Sequence, residues 1–79
     1  MATLLIIAQK LVAMFEDAKS LKELSERERE VCDLLLKGLS AVQVGESLHI
    51  SPHTARNHMK AIFRKLDVGT QLELINRYA

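Results

Sequence analysis

Ser51-Pro-His-Thr-Ala-Arg-Asn-His-Met-Lys-Ala-Ile-Phe-Arg-Lys-Leu66 is the stretch from which the rest of the chain is read. Ser51 suits an N-cap, because its hydroxyl can accept a hydrogen bond from an otherwise unpaired amide of the first turn. Pro52 follows at the first helical position, where a missing N–H costs nothing and the fixed φ suits a helix. Ala55, Met59, Ile62 and Leu66 then recur at helical spacing and make one apolar stripe. The other faces hold His53, Arg56, Asn57, Lys60, Arg64 and Lys65, with no acid before Asp67. A helix over residues 52–66 with an apolar back and an acid-free basic front suits a partner dense in negative charge. The major groove of DNA is such a partner, and a merely solvated charged face is the competing reading.

The chain has 79 residues, enough for one small domain. Aromatic residues are only 4% against 48% hydrophobic in all, which favours helices over sheet. No segment alternates β-branched or aromatic residues with a period of two, so the expected fold is an all-α small helical bundle. The net charge of +1 is uninformative as a sum but segregated along the chain. Arg56, Lys60, Arg64 and Lys65 have no acid among them, whereas acids outnumber bases over residues 20–50. Cys32 stands alone, which excludes an intramolecular disulfide and fits a reducing, cytoplasmic setting. The N-terminal apolar run is interrupted at Gln9-Lys10 and closed by Glu16-Asp17, against a signal peptide and against a membrane span.

Thr3 to Lys19 reads as an additional N-terminal amphipathic helix. Leu4, Ile7, Leu11 and Met14 take the a and d positions of a heptad, and Leu5, Ile6, Val12, Ala13 and Phe15 widen the apolar face. Three roles fit it: a dimer contact, the end of a longer protein, or a cover for the domain's own core. The division is therefore residues 1–20 as helix or linker and residues 21–79 as the domain proper.

Helix punctuation is clear downstream. Ser25 with Glu28, Ser40 with Gln43, and Thr70 with Glu73 each have capping-box spacing, in which hydroxyl and N3 side chain each satisfy an amide at the helix start. Ser20 with Glu23 is a rival to the first box. Gly38 after Lys37 is a natural helix stop. Val31, Leu34 and Leu35 point inward from the first of these helices. Between Ser40 and Lys60 lies a short helix, a tight turn at His49-Ile50 and the capped basic helix, the outline of a helix-turn-helix. Two helices crossing that closely need a small residue at the contact, and Gly45 stands there despite a helix-propensity cost of about 1 kcal/mol relative to Ala. Val44, Leu48, Ile50 and Ala55 supply the apolar contacts of the crossing.

Leu24-Ser-Glu-Arg-Glu-Arg-Glu-Val31, Gly38-Leu-Ser40, Glu46-Ser-Leu48, Ile50-Ser51, Thr54, His58 and Lys65-Leu66 together resemble the LuxR-type (LuxR/FixJ) helix-turn-helix domain over about residues 21–76. The resemblance implies a four-helix DNA-binding module of bacterial transcription regulators, usually dimeric, whose third helix reads the major groove. It places base contacts on Arg56, Asn57 and Lys60, and phosphate contacts around Ser40, Gln43, Ser51, Thr54, His58 and Lys65. His53 and Arg64 join the phosphate set by position on the same helix. It further implies a dimer contact from the last helix, where Gln71, Leu74 and Tyr78 share a face. The chain departs from the family pattern at Ala41 and Val42, where polar residues are usual, at Ala55 in place of valine, and at Gln71 in place of arginine.

Chemistry agrees with the central assignments, since arginine pairs bidentately with guanine and asparagine with adenine. His49, His53, His58 and Cys32 have no metal-ligand spacing, and no nucleophile with its base, phosphate loop or paired carboxylate appears. The expected partners are double-stranded DNA and a second copy of the chain, with RNA polymerase as a further contact. No cofactor, membrane, small-molecule ligand or enzymatic activity is expected. The alternative is a helical protein-interaction or dimerisation module on a helix-turn-helix scaffold with weakened DNA binding.

Overall fold

Hydroxyl residues start every helix of the described chain, and each does so through a local bond. The computed structural model describes residues 21–79. It places α1 at Glu26–Leu36, α2 at Ala41–Leu48, α3 at Pro52–Leu66 and α4 at Gln71–Tyr78. No strand occurs among the described residues, in keeping with the all-α expectation. The expected N-terminal helix, with Leu4, Ile7, Leu11 and Met14 as its expected dimer contacts, lies outside the described residues.

Two capping boxes close in full. The Glu28 amide donates to Ser25 Oγ at 3.1 Å and the Ser25 amide to Glu28 Oε1 at 2.8 Å. Ser40 and Gln43 exchange the same pair of bonds at 2.9 and 3.2 Å. Ser51 accepts from the Thr54 amide at 3.0 Å, with Pro52 at the first helical position. Thr70 behaves differently from expectation: its hydroxyl accepts from Glu73, but the Glu73 carboxylate takes the Gly69 amide instead of that of Thr70. The loop before α4 offers that extra donor, and the carboxylate satisfies it.

Helix ends are equally well closed. Gly38, at φ +88, lets the chain reverse after α1, so that the Leu39 amide reaches Leu34 O at 3.2 Å and the Gly38 amide reaches Leu35 O at 3.0 Å. His49 at φ 57 and Asp67 at φ 53 play the same part after α2 and α3, in a left-handed conformation that histidine and aspartate tolerate better than most residues.

The core joins one face of each helix. Val31, Cys32 and Leu35 of α1 meet Val44 of α2, Ala55, Ile62 and Leu66 of α3, and Leu74 of α4, with Leu24 and Val68 sealing the ends. Burying a side chain such as Leu35 or Ile62 contributes about 1.5–3 kcal/mol. Leu34 and Met59, expected inward, are only half-buried. Helix α3 is the hub, packing on both α1 and α2, while α4 packs on α1.

Gly45 sets the angle at which α3 leaves the turn. A Cβ at this position would lie 2.6 Å from Ile50 O and 3.4 Å from Pro52 N. The close approach is therefore to the turn backbone, immediately ahead of α3. Only a residue without a side chain lets the turn fold back this tightly.

Side chains then tie the helices end to end. Gln71 Nε2 donates to Leu35 O at 3.0 Å and to Leu39 O at 2.9 Å, and Arg77 Nη1 donates to Leu66 O at 2.6 Å. Helix α4 thus satisfies carbonyls at the ends of α1 and α3 that have no partner inside those helices. This corrects the expected dimer face: Gln71 is engaged with α1, Leu74 is fully buried, and Tyr78 packs against the chain's own core. These three residues share one face of α4, and that face is turned toward the core.

Lys65 is corrected as well. Its Nζ lies 2.7 Å from Glu28 Oε1 and 3.3 Å from Glu23 O, which joins the end of α3 to the start of α1. Two of its three ammonium protons are thereby engaged within the chain. The hydrogen bond from Lys65 and the Ser25 amide hold the buried Glu28 carboxyl below its ordinary value, outweighing the opposing effect of burial. Unfolded glutamate takes up its proton near pH 4.3. The folded carboxylate stays ionised further down, so the unfolded chain binds protons first and stability falls as pH drops below about 4.3.

Two expected outcomes follow from these contacts. Gly45→Ala destabilises by about 1–3 kcal/mol through overpacking, where helix propensity alone would give a gain of about 1 kcal/mol; urea unfolding reads the sign. Glu28→Gln keeps a cap acceptor but removes the ion pair. It is expected to lose about 1–2 kcal/mol at pH 7, a discounted figure for a pair whose lysine is 33% exposed. Its deficit relative to wild type should shrink when unfolding is repeated near pH 3.5, and an unchanged deficit would reject the linkage.

Candidate nucleic-acid interface

Because Ala55, Ile62 and Leu66 anchor α3 to the core, the opposite side of that helix is fixed in solvent. At about 100° per residue, Arg56, Lys60, His53, Arg64 and Asn57 follow one another across an arc of about 100°. All five are exposed. From His53 to Arg64 the stripe is about 17 Å long at a rise of about 1.5 Å per residue. It contains Arg56, Lys60 and Arg64 as cations, His53 and Asn57 as further hydrogen-bonding side chains, and no acid. The packing of α2 against α3 through Val44 and Gly45 leaves this stripe uncovered.

The remaining sequence-assigned positions divide into three groups. Ser40 and Gln43 are exposed at the first turn of α2, held by their own capping box. Ser51 is exposed at the start of α3, where the helix dipole presents its positive end. Its hydroxyl donates to Thr54 Oγ1 at 2.9 Å. Thr54 and His58 are half-buried on the flank from which Lys65 reaches α1, off the exposed stripe.

The departures noted in the sequence have visible consequences. Val42 is 46% exposed at the start of α2, so its apolar side chain faces water where a polar group would ordinarily stand. Gln71 turns its amide inward, to Leu35 O in the last turn of α1 and Leu39 O in the loop that follows. The usable positive charge among these elements is thereby concentrated on α3. Sequence reasoning missed both engagements, because their partners lie 37 and 36 residues away, beyond any local signal.

No His, Cys, Asp and Glu cluster among the described residues has the arrangement to hold a metal ion. Burial pushes the Cys32 thiol up from its ordinary value, which makes it less reactive as a nucleophile. No helix among the described residues is long and apolar enough to cross a membrane.

Comparisons with known proteins give the same picture. Residues 22–78 match the family described as bacterial regulatory proteins, luxR family. YhjB of Escherichia coli (strain K12), which carries the name of an HTH-type transcriptional regulator, is 40% identical over 58 residues, covering 73% of this chain and 29% of its own length. The transcriptional regulatory protein DegU of Brevibacillus brevis is 37% identical over 60 residues, 76% of this chain and 25% of its own. The transcriptional regulatory protein UhpA of Salmonella typhimurium is 34% identical over 71 residues, 90% of this chain and 34% of its own. The chain thus spans about a quarter to a third of the length of the curated relatives it matches. No solved structure matches it significantly. With the capped basic helix, the glycine-tightened turn and the matched span of residues in agreement, the chain belongs to the LuxR family of bacterial regulatory proteins and carries that family's helix-turn-helix DNA-binding domain.

Proposed function

We propose that this domain lays α3 in the major groove of double-stranded DNA and reads sequence there on behalf of a bacterial transcription regulator. The observation that carries the reading is the acid-free, fully exposed stripe on the side of α3 opposite the core. In this reading Arg56 pairs with guanine O6 and N7, Asn57 with adenine N6 and N7, and Lys60 with a guanine edge or an adjacent acceptor. Arg64 and His53 approach phosphates, and Ser40, Gln43, Ser51 and Thr54 fix the register without specifying sequence. RNA polymerase is a further partner in this reading, in line with the regulatory names of the relatives.

Binding as a homodimer fits the small positive inventory of one copy. Two copies related by a two-fold axis set their reading helices roughly 34–36 Å apart, one turn of DNA. The outward side of α4 is the surface we assign to that contact, because Leu72 is 66% exposed there while its neighbours Gln71 and Leu74 face inward.

A mobility-shift titration at low salt tests the reading on a duplex selected from a random pool. Arg56→Ala and Lys60→Ala are each expected to cost about 1–3 kcal/mol and to relax preference at one base position. Arg64→Ala is expected to weaken all sequences alike and to lower the salt slope by about 1. Equally poor binding by wild type and the Arg56 and Lys60 variants would leave only an interaction module on this scaffold. Light scattering of Leu72→Glu separately addresses the dimer: conversion to monomer is expected, and a persistent dimer that dissociates only on removal of residues 1–19 moves the contact there.

A further inference from the structure

Beside the basic stripe, α3 carries a second feature that the proposed contacts leave unused. Arg56, Met59, Lys60 and Phe63 line a shallow hollow of about 200 Å³, and the surface they show to it has no polar atoms. The four positions are i, i+3, i+4 and i+7 of one helix, so no other element closes the hollow. Met59 and Phe63 each pack one side against the core and leave the other toward the hollow. Arg56 and Lys60 contribute their aliphatic stems, while their charged ends extend beyond it, as long basic side chains do along apolar surface. The hollow therefore sits between the two side chains placed to pair with guanine.

We infer that this hollow receives the C5-methyl group of a pyrimidine, so that the bound site carries a 5-methylpyrimidine beside the guanine read by Arg56. The inference rests on the major-groove reading above and names part of its target. In that groove thymine shows a methyl group and one acceptor, whereas cytosine shows an amino donor and no methyl. A wall without polar atoms gives a cytosine amino group no partner and costs the free energy of an unmade hydrogen bond. The same wall gains from a methyl group. The space is several times the ~30 Å³ of a water molecule, ample for a methyl and the adjoining base edge.

Thymine and 5-methylcytosine present the same methyl group, and the experiment separates them. The full chain is titrated against its selected duplex in four forms: unchanged, with uracil for each thymine in turn, with cytosine at the sensitive position, and with 5-methylcytosine there. One uracil position adjoining the guanine is expected to weaken binding about fourfold, the equivalent of roughly 0.8 kcal/mol for one buried methylene-sized group. 5-Methylcytosine should recover part of the loss that cytosine causes if the methyl alone is recognised, and none if the thymine O4 is also read; either outcome keeps the methyl contact. Met59→Ala should abolish the difference between thymine and uracil, and the substitutions in DNA decide the matter even if that variant does not fold. A selected duplex that binds tightly yet tolerates uracil at every position overturns the methyl contact and leaves the major-groove reading standing. Failure to select any duplex overturns both.

Discussion

The absence of a side chain at Gly45 is the constraint on which the rest of this domain depends. It lets the Ile50 carbonyl come to the flank of α2, where a Cβ would stand 2.6 Å away. That approach fixes the turn, the turn fixes the direction of α3, and the direction of α3 decides which residues are core and which are surface. With Ala55 and Val44 fully buried at the crossing, rotation of α3 about its axis is closed off as well. The positions of Arg56, Asn57 and Lys60 are consequences of that placement. A glycine inside an eight-residue helix is unfavourable taken alone, and it persists because the tertiary contact requires it.

Charge is apportioned by the same geometry. Of the four cations on α3, three face solvent and Lys65 turns back to Glu28. That pair begins one helix and ends another, so it combines a cap, an ion pair and an interhelical tie in one carboxylate. Two acids of α1 are engaged away from that stripe: Glu28 is buried with Lys65, and Glu30 pairs with Arg27 on a solvated face at 2.7 Å. A surface pair of that kind contributes little stability.

Much of this architecture is legible in sequence because its signals are local. Ser25 with Glu28 and Ser40 with Gln43 are three residues apart, and the bonds that they make are the ones that their chemistry implies. Gly38 and Gly45 are likewise explained by backbone requirements within a few residues. The exposed stripe of α3 is readable from periodicity, since the apolar positions announce the opposite face. What was not legible involves distant partners. Lys65 looked like its neighbour Arg64 until the start of α1 was placed beside it, and Gln71 looked like a surface substitution until the α1 carbonyls were placed above it. Helix α4 was ambiguous for another reason. It has apolar residues on two sides, Leu74 with Tyr78 and Leu72 with Ile75, and periodicity cannot say which side the rest of the molecule covers.

The bonds from α4 to its neighbours also bear on how the domain comes apart. Arg77 holds the last carbonyl of α3, and Gln71 holds Leu35 O in the last turn of α1 and Leu39 O in the loop after it. When α4 lifts away, all three lose these side-chain donors, Leu35 O keeping the Gly38 amide, and Leu74 leaves the middle of the core in the same movement. Fraying of α1, fraying of α3 and release of α4 are therefore one cooperative opening and not three independent ones. This eight-residue helix acts as the latch of the domain, and the amides near the end of α3 exchange with solvent only as often as that latch opens.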